Sequence, residues 1–318
     1  MAESLIECVA NCSEGCNVKT IQAIEQAVST VNDVMFLDRH DDVDHNRCVL
    51  TFAGSADAVA RAAFELVNTS TKLIDLRYHT GQHPRIGATD VLPFIPLDGA
   101  TISQCVEVAT KVGKRVGEEL GIPVFLYGEA CPQPNRRALE IIRRGGLSHL
   151  SERMKSDPSW KPDFGPMTIH PSAGVIAIGV RHLLIAFNIV LNTNDLAIAK
   201  EIAKTIRASD GGLAGVKALG LELKAKDKVQ VSMNLIDFRK TPIHVVYEAV
   251  KKKAGEHGVS IVESELVGLI PEDAVTEAAV HCLKDDALQK DCILESRIRH
   301  WKNFRQSFRF QTENPGRS

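Results

Sequence analysis

Residues 77–90 concentrate side chains that bind carboxylates and move protons. The stretch combines two histidines, two arginines and an aspartate, namely Arg77, His79, His83, Arg85 and Asp90. Neutral imidazole exchanges a proton near pH 7, and a positioned general base accelerates a reaction by roughly 10²–10⁴-fold. The guanidinium group binds a carboxylate through two parallel hydrogen bonds. The pattern therefore predicts acid–base chemistry on a substrate that carries carboxylates.

The backbone around His83 indicates a surface loop. Gly81 and Gly87 permit turns and close ligand approach. Pro84 fixes its own φ and keeps His83 out of the helical region. Binding and catalytic residues concentrate on such loops, although the same signals also describe an ordinary turn-rich connection.

A structural role is the alternative for each of these side chains. A single histidine at a surface is more often solvated than functional. The arginines could also serve ion pairs, in which Arg47, Arg85 and Arg181 would pair with Asp38, Asp90 or Asp163.

We expect no metal site. His79 and His83 have the spacing of ligands on one helix face, but Gly81 and Pro84 argue against a helix there. The cysteines within residues 8–16 repeat every four positions, which serves a metal only on a helix, and the first of them lies in a strand-like run. The sequence contains no Cys-x-x-Cys pair, phosphate-binding loop, dinucleotide fingerprint or nucleophile elbow.

Composition and charge narrow the class of protein. The 318 residues are 44% hydrophobic and 25% charged, which is typical of a globular chain of two domains. A formal net charge of −2 provides no general attraction to nucleic acid or to a membrane. The amino terminus lacks a signal-peptide pattern, and the longest apolar stretch, residues 183–191, is too short to span a bilayer. Eight cysteines without a disulfide framework fit reduced thiols, so we expect a cytoplasmic protein.

Strands and helices must position the central loop from both sides. Apolar periodicity in the first half predicts strands near residues 5–10, 34–37, 48–53, 91–97 and 123–127. It predicts helices near residues 21–31, 59–67 and 102–120, followed by a basic helix within residues 136–144. Residues 147–173 are rich in Ser, Pro and charge, and we expect a long irregular loop there.

The second half predicts the order β-α-β-β-α-β, which is the split βαβ, ferredoxin-like motif. We therefore expect an α+β protein of two αβ-sandwich subdomains of related topology, joined near Arg181. The expected limits are residues 1–181, 182–295 and a basic tail at 296–318. The tail interleaves cations with aromatics, a pattern that can bind single-stranded nucleic acid, but we favour a terminal helix that frays into solvent.

Ten short runs occur in one order along the chain and carry a resemblance to a known family. They are Glu7-Cys8-Val9, Asn11-Cys12-Ser13-Glu14-Gly15, Leu73-Ile74-Asp75, His83-Pro84-Arg85-Ile86-Gly87-Ala88, Pro93-Phe94-Ile95-Pro96, Tyr127-Gly128-Glu129-Ala130, Pro162-Asp163-Phe164-Gly165-Pro166, Leu184-Ile185-Ala186-Phe187-Asn188-Ile189, Asn234-Leu235-Ile236-Asp237-Phe238 and Leu266-Val267-Gly268-Leu269. The chain thereby resembles the formiminotransferase portion of formimidoyltransferase-cyclodeaminase.

The resemblance implies a fold and a reaction. The fold is two ferredoxin-like subdomains with the active-site cleft between them, usually as a homodimer. The reaction moves the formimino group from N-formimino-L-glutamate to tetrahydrofolate, the co-substrate, and releases glutamate in histidine degradation. We expect folate and formiminoglutamate as the ligands, with no nucleic-acid and no membrane partner.

The resemblance also assigns residues. The family's catalytic histidine falls on His83. Its folate-contacting loop falls on Gly165, Pro166, Met167, Thr168, Ile169, His170, Pro171, Ser172, Ala173 and Gly174. The remaining polar candidates for substrate binding are Asp38, Asn46, Arg47, Arg85, Asp90 and Arg181.

The chain also departs from the family pattern. It ends where the linker and the cyclodeaminase domain would begin, so we expect no deaminase activity. Cys12 stands where the family often has Phe, and Ala173 lies at another variable position. Two alternatives stay open, a folate-binding paralogue without turnover and an enzyme that transfers a formyl rather than a formimino group.

Overall fold

The computed structural model describes residues 4–81 and 85–274, together with residues 292, 294, 297, 298 and 301. The chain divides into two compact units, Met1–His182 and Leu183–Ser318. Each unit has one β-sheet, so the protein is a mixed α/β chain with sheets of six and four strands. Among the described residues, no helix combines the length and the apolar character that crossing a membrane requires.

The first unit is built on the six-stranded sheet. Its elements are β1 (Ile6–Cys12), α1 (Val18–Ser29), β2 (Val34–Asp42), β3 (Arg47–Gly54), α2 (Ala56–Leu73), β4 (Thr89–Pro96), α3 (Ile102–Glu119), β5 (Val124–Gly128), α4 (Leu139–Arg143), α5 (Gly146–Ser156) and β6 (Ile176–Val180). The strand order is β2-β3-β1-β4-β6-β5. The first four strands are antiparallel, and β4, β6 and β5 run parallel. The unit thus begins with the β-α-β-β-α-β order and adds two parallel strands.

Both faces of the first sheet carry apolar layers. Helices α1, α2 and α3 pack on one face, where β1 contributes alternate side chains such as Ile6 and Cys8. The other face is covered around β4, β5 and β6, where Phe125 and Tyr127 meet Leu150 and Trp160. Helices α4 and α5 therefore bury only one end of the sheet, close to the loop that begins at residue 165.

The prediction of a long irregular loop over residues 147–173 is wrong for its first part, residues 147–160. Helix α5 occupies Gly146–Ser156, and a 3₁₀ turn follows at Pro158–Trp160. Gly145 has a φ of +79°, which lets the chain reverse between α4 and α5. The helix buries only Leu150 and Met154, one turn apart, so its apolar stripe is too short to show a period in the sequence.

The second unit is a four-stranded antiparallel sheet. Its elements are β7 (Ile185–Leu191), α6 (Leu196–Ile206), β8 (Val216–Leu223), β9 (Lys228–Leu235), α7 (Ile243–Glu256) and β10 (Ile261–Val267). The strand order is β10-β7-β9-β8, and the chain order is the β-α-β-β-α-β read from the sequence. One apolar cluster joins α6 and α7 to the inward-facing residues of the strands, including Phe187 and Met233.

A buried ion pair holds the segment that leads into the loop at residue 165. Arg136 is fully buried, and its Nη2 lies 2.6 Å from Asp163 Oδ1. Arg136 Nη1 also donates to the Lys161 carbonyl at 3.0 Å, and the Leu126 amide donates to Asp163 Oδ2 at 2.7 Å. Burial raises the pKa of Asp163, while the Leu126 N–H and the Arg136 guanidinium oppose that rise. The pair therefore joins β5 to the start of the loop.

Replacing Asp163 by Asn tests this anchor. Asp163→Asn leaves the buried Arg136 guanidinium without its carboxylate, so we expect the free energy of unfolding to fall by about 3 kcal/mol. Urea unfolding followed by circular dichroism measures it. Asp57→Asn is the control, because the Asp57–Lys111 pair is exposed and solvent screens its attraction, so its loss should change stability little. Equal losses in the two variants would contradict a special role for the buried pair.

Candidate active site

The first unit contains an open depression lined mainly by polar and charged side chains. It encloses about 200 Å³ of empty space, part of it open to solvent. Its lining residues are Ser13, His45, Asn46, Arg47, Arg85 and Asp90. They come from the end of β1, the turn between β2 and β3, and the segment that leads into β4. The site is therefore assembled by strands that are neighbours in one sheet.

Asn46 joins three segments of the chain at this depression. It adopts a φ of +46°, a left-handed conformation that asparagine tolerates better than most residues. Its Oδ1 accepts a hydrogen bond from the Gly15 amide at 2.9 Å, and its Nδ2 donates to the Thr80 carbonyl at 2.8 Å. The backbone approaches are tight, because a Cβ on Gly15 would lie 2.2 Å from the Asp42 carbonyl oxygen. Asn46 thus fixes the turn against both neighbouring segments.

The same turn is closed from inside by His45. The His45 ring Nδ1 lies 2.5 Å from Asp42 Oδ2, and the His45 amide donates to Asp42 Oδ1 at 2.9 Å. Burial opposes ionisation of Asp42, but the hydrogen bonds from the His45 ring and amide prevail and lower the pKa of Asp42 to about 2. Asp42 therefore stays charged and holds the buried imidazole in one orientation.

Arg85 is held by acceptors from the segment around His79. Its Nη2 donates to the Gly81 carbonyl at 2.5 Å, and its Nη1 contacts His79 Nδ1. His79 Nε2 lies 3.1 Å from the Asn46 carbonyl oxygen, which can only accept a hydrogen bond. The proton of the neutral ring therefore lies on Nε2, and Nδ1 accepts from Arg85. Burial lowers the pKa of His79, and the positive charge of Arg85 lowers it further.

Arg47 lines the depression and, within the described part of the chain, has one buried donor without a partner. Its Nε is buried, and no hydrogen-bond acceptor for it occurs among the residues that the structure describes. Burial lowers the pKa of Arg47, an effect that the negative charges of Asp42 and Asp90 oppose and the nearby Arg143 reinforces. A buried donor without a partner is costly, and a carboxylate bound by the Arg47 guanidinium would offset part of that cost.

Asp90 is committed to holding the backbone and an arginine. Its Oδ1 accepts from the Ile86 amide at 2.7 Å, and its Oδ2 forms an ion pair with Arg143 of α4. The Asp90 side chain is only 3% exposed. One structural alternative is that Asp90 and Asp163 form ion pairs with Arg47, Arg85 or Arg181. It is wrong for both: the ion-pair partner of Asp90 is Arg143, and that of Asp163 is Arg136.

Two of the substrate-binding candidates lie away from the depression. Asp38 sits in β2 opposite Thr51 of β3 and is not among the lining residues. Arg181 follows β6, and its Nη1 donates to the His182 carbonyl at 3.0 Å. The depression brings together four of the six candidates, namely Asn46, Arg47, Arg85 and Asp90. Asp38 and Arg181 do not line it. His83 lies outside the described residues, although Gly81 and Arg85 on either side of it are described.

Within residues 165–174, residues 170–174 form a tight turn that packs against the segment leading into β4. His170 and Gly174 exchange backbone hydrogen bonds of 3.0 Å each, and the Ala173 amide donates to His170 Nδ1 at 3.0 Å. The Ala88 amide donates to the Ala173 carbonyl at 2.9 Å, which fixes the hairpin beside the site. Met167 is 46% exposed, and Thr168 and Pro171 are exposed as well. Residues 170–174 are therefore held by hydrogen bonds, and the residues just before them, Met167 and Thr168, face solvent.

Sequence reasoning did not select Ser13, His45 or Arg143 as members of the site. Ser13 Oγ donates to the Gly87 carbonyl at 2.7 Å and joins β1 to the segment before β4. A signal for Ser13 was present, because it lies in a polar, turn-forming cluster directly after a predicted strand. The positions of His45 and Arg143 depend on how β2 pairs with β3 and on where the predicted basic helix packs, which the sequence pattern does not specify.

The described part of the chain contains free thiols at the start of the first unit but no grouped metal ligands. Cys8 and Cys12 are buried free thiols, and Cys16 is an exposed one. Within residues 4–81 and 85–274 and the few described residues beyond them, no three His, Cys, Asp or Glu side chains are grouped as metal ligands.

Two family descriptions match nearly the whole chain. The N-terminal subdomain of the formiminotransferase domain matches residues 5–181. The formiminotransferase domain matches residues 186–300. The two matches correspond closely to the two compact units, Met1–His182 and Leu183–Ser318.

Individual relatives give the same result. A glutamate formimidoyltransferase from Thermoplasma acidophilum is 46% identical over 297 residues, which cover 93% of this chain and 97% of the relative. A glutamate formimidoyltransferase from Streptococcus pyogenes is 40% identical over 280 residues. The aligned region covers 88% of this chain and 93% of that relative. The formimidoyltransferase-cyclodeaminase of Rattus norvegicus is 43% identical. The aligned region covers 88% of this chain but only 53% of the length of that relative. By sequence, by both subdomain matches and by the extent of coverage, this chain belongs to the formiminotransferase family.

Proposed function

We propose that this chain is a glutamate formimidoyltransferase, which transfers the formimino group of N-formimino-L-glutamate to tetrahydrofolate and releases L-glutamate. The observation that carries the proposal is the depression itself, which both Arg47 and Arg85 line. The relatives from Thermoplasma acidophilum and Streptococcus pyogenes, covered along nearly their full length, carry this activity in their names. Histidine degradation and one-carbon metabolism follow from the reaction.

The two guanidinium groups suit the carboxylates of the donor. Arg47 and Arg85 both line the depression, and a fork of N–H donors binds a carboxylate more specifically than an ammonium group does. Asn46 is committed to the backbone through its side chain, and Asp90 is committed to Arg143. We therefore assign carboxylate binding to the arginines and a supporting role to Asn46 and Asp90.

We assign proton transfer to His83. The folate nitrogen that attacks the formimino carbon loses a proton, and His83 accepts it. The bond from that carbon to the glutamate nitrogen then breaks, and the same proton passes to the departing nitrogen, so the imidazole returns to its neutral form. Support comes from the neighbours of His83, because Gly81 and Arg85 contact each other at the depression.

We assign folate binding to residues 165–174. Support comes from the hydrogen bond that joins Ala173 to Ala88 beside the site and from the exposed Met167 and Thr168, which precede the turn at residues 170–174. A pterin needs hydrogen-bonding partners at its edge and apolar contact with its rings, and this segment offers both. Asp38 and Arg181 remain secondary candidates for substrate contact.

Several expectations about the whole protein remain predictions. They are the cleft between two ferredoxin-like subdomains, the domain limits 1–181, 182–295 and 296–318, the homodimer and the cytoplasmic location. The alternative of nucleic-acid binding through the tail concerns residues that lie largely outside the described part of the chain.

Replacing His83 tests the proposed reaction. The wild-type protein should release glutamate from N-formimino-L-glutamate only when tetrahydrofolate is present. His83→Ala should lower kcat by roughly 10²–10⁴-fold, because the general base is lost, while folate binding measured by calorimetry persists. His149→Ala is the matched control, since His149 of α5 has a side chain that is 50% exposed and lies outside the lining set.

The donor screen separates the alternatives. Formimino and formyl donors are assayed in parallel with the same folate. Folate binding without turnover on either donor would contradict the transferase and support a binding paralogue. Turnover on the formyl donor alone would support formyl transfer instead.

Replacing Arg47 tests carboxylate binding. Arg47→Gln removes a charged donor that faces the depression, so the KM for formiminoglutamate should rise by about tenfold or more with little change in kcat. Steady-state kinetics measure both constants. Arg61→Gln is the control, because Arg61 is exposed on α2 and its hydrogen bond to the Asn32 carbonyl is long, at 3.4 Å. An unchanged KM in Arg47→Gln would remove Arg47 from the donor site.

A further inference from the structure

His79 occupies a position that the proposed reaction does not use. It is four residues before His83, in the segment after α2, and it contacts two parts of the donor site at once. We propose that the neutral imidazole of His79 is the positioning residue that holds the Arg85 guanidinium in place to bind a carboxylate of the donor. This inference rests on the proposed function, since it names the device that orients one of its binding groups.

The contacts of His79 fix both the tautomer and the direction of the ring. Its Nε2 donates to the Asn46 carbonyl at 3.1 Å, and its Nδ1 accepts from Arg85 Nη1. Asn46 cannot shift freely, because its side chain bridges Gly15 and Thr80. The ring is therefore anchored to a rigid turn on one side and presents a single lone pair to Arg85 on the other.

The groups that accept hydrogen bonds from Arg85 do not neutralise its positive charge, so the charge can attract an anionic ligand. Among the described residues, its hydrogen-bond acceptors are His79 and the Gly81 carbonyl, and both are uncharged. A carboxylate in their place would neutralise the guanidinium group before substrate arrives. Neutral acceptors orient the group and keep its attraction for an anionic ligand.

His79 also connects the two arginines of the site. Its Nε2 contacts the carbonyl of Asn46, and Arg47 is the next residue along the chain. One ring thus braces the turn that carries Arg47 and the side chain of Arg85. Loss of the ring should weaken donor binding more than it affects the reaction step, because neither contact involves the reacting atoms.

The arrangement makes donor binding sensitive to acid. Charged groups around His79 are Arg85 and, from the end of β1, Glu14, while Asp90 acts on Arg85 from β4. Burial and Arg85 lower the pKa of His79 below its ordinary value of 6.5, although the Asn46 backbone, the charge of Glu14 and the Ser13 backbone oppose them. The neutral form therefore prevails at pH 7. Below the lowered pKa, the ring gains a proton on Nδ1, loses its acceptor and repels Arg85, so the KM for the donor should rise as the pH falls.

Two variants of His79 test the inference. His79→Ala removes both contacts, and we expect the KM for formiminoglutamate at pH 7.5, a pH at which the wild-type ring is neutral, to rise by about tenfold with kcat nearly unchanged. His79→Gln restores an acceptor and a donor but does not titrate. It should recover much of the lost affinity and should not show the rise of KM in acid. His149→Gln is the control and should keep the wild-type profile.

A titration of the ring gives a readout without turnover. Histidine labelled with ¹³C is followed by NMR in the wild type and in Arg85→Gln, with His79→Gln identifying the His79 signal. The pKa of His79 should move upward in Arg85→Gln, because a neighbouring positive charge is gone. An unmoved pKa, a normal KM in His79→Ala, or a persistent acid rise of KM in His79→Gln each overturns the positioning role. If the wild-type protein releases no glutamate, the proposed function is wrong. The NMR titration then still shows whether His79 and Arg85 are in contact.

Discussion

The site depends on a constraint at one residue, the left-handed conformation of Asn46. A left-handed backbone costs most residues roughly 1–2 kcal/mol, and a hydrogen bond contributes about 1 kcal/mol. The two side-chain bonds of Asn46, to Gly15 and Thr80, are thus sufficient to offset the strain. The turn that results directs Arg47 into β3 and presents a carbonyl to His79. Positions of the cationic groups follow from this turn.

The order of strands and helices could be predicted because the apolar periods are long. Helix α3 and strand β7 stand out in the sequence for this reason, and the second unit has its expected order. The region before residue 165 could not be predicted, since α5 buries only Leu150 and Met154. Its fold is decided by tertiary contacts, namely the buried Arg136–Asp163 pair and the packing of Trp160 near Phe125.

The site was partly predictable for a similar reason. Arg85 and Asp90 are close in the sequence, so a polar cluster there could be recognised directly. Asn46 and Arg47 were selected as polar candidates, but their neighbours depend on pairing between β2 and β3, and Ser13 depends on β1. Ion-pair partners were harder still, because Arg143 reaches Asp90 across the long separation between α4 and β4. Residue type indicates a possible partner, whereas only the register of the strands selects the actual one.

The tight approach of Gly15 to the β2–β3 turn limits how this scaffold can diversify. A Cβ on Gly15 would lie 2.2 Å from the Asp42 carbonyl oxygen, and one on Gly81 would lie 2.5 Å from the His45 carbonyl oxygen. The turn is thus enclosed by backbone on two sides, and neither glycine can accept a side chain without moving it. In a saturation library aimed at new donors, most substitutions at Gly15 and Gly81 would disrupt the turn and yield no useful variants. Met167 and Thr168 are exposed and carry no such backbone constraint, so changes of selectivity should proceed through positions like these.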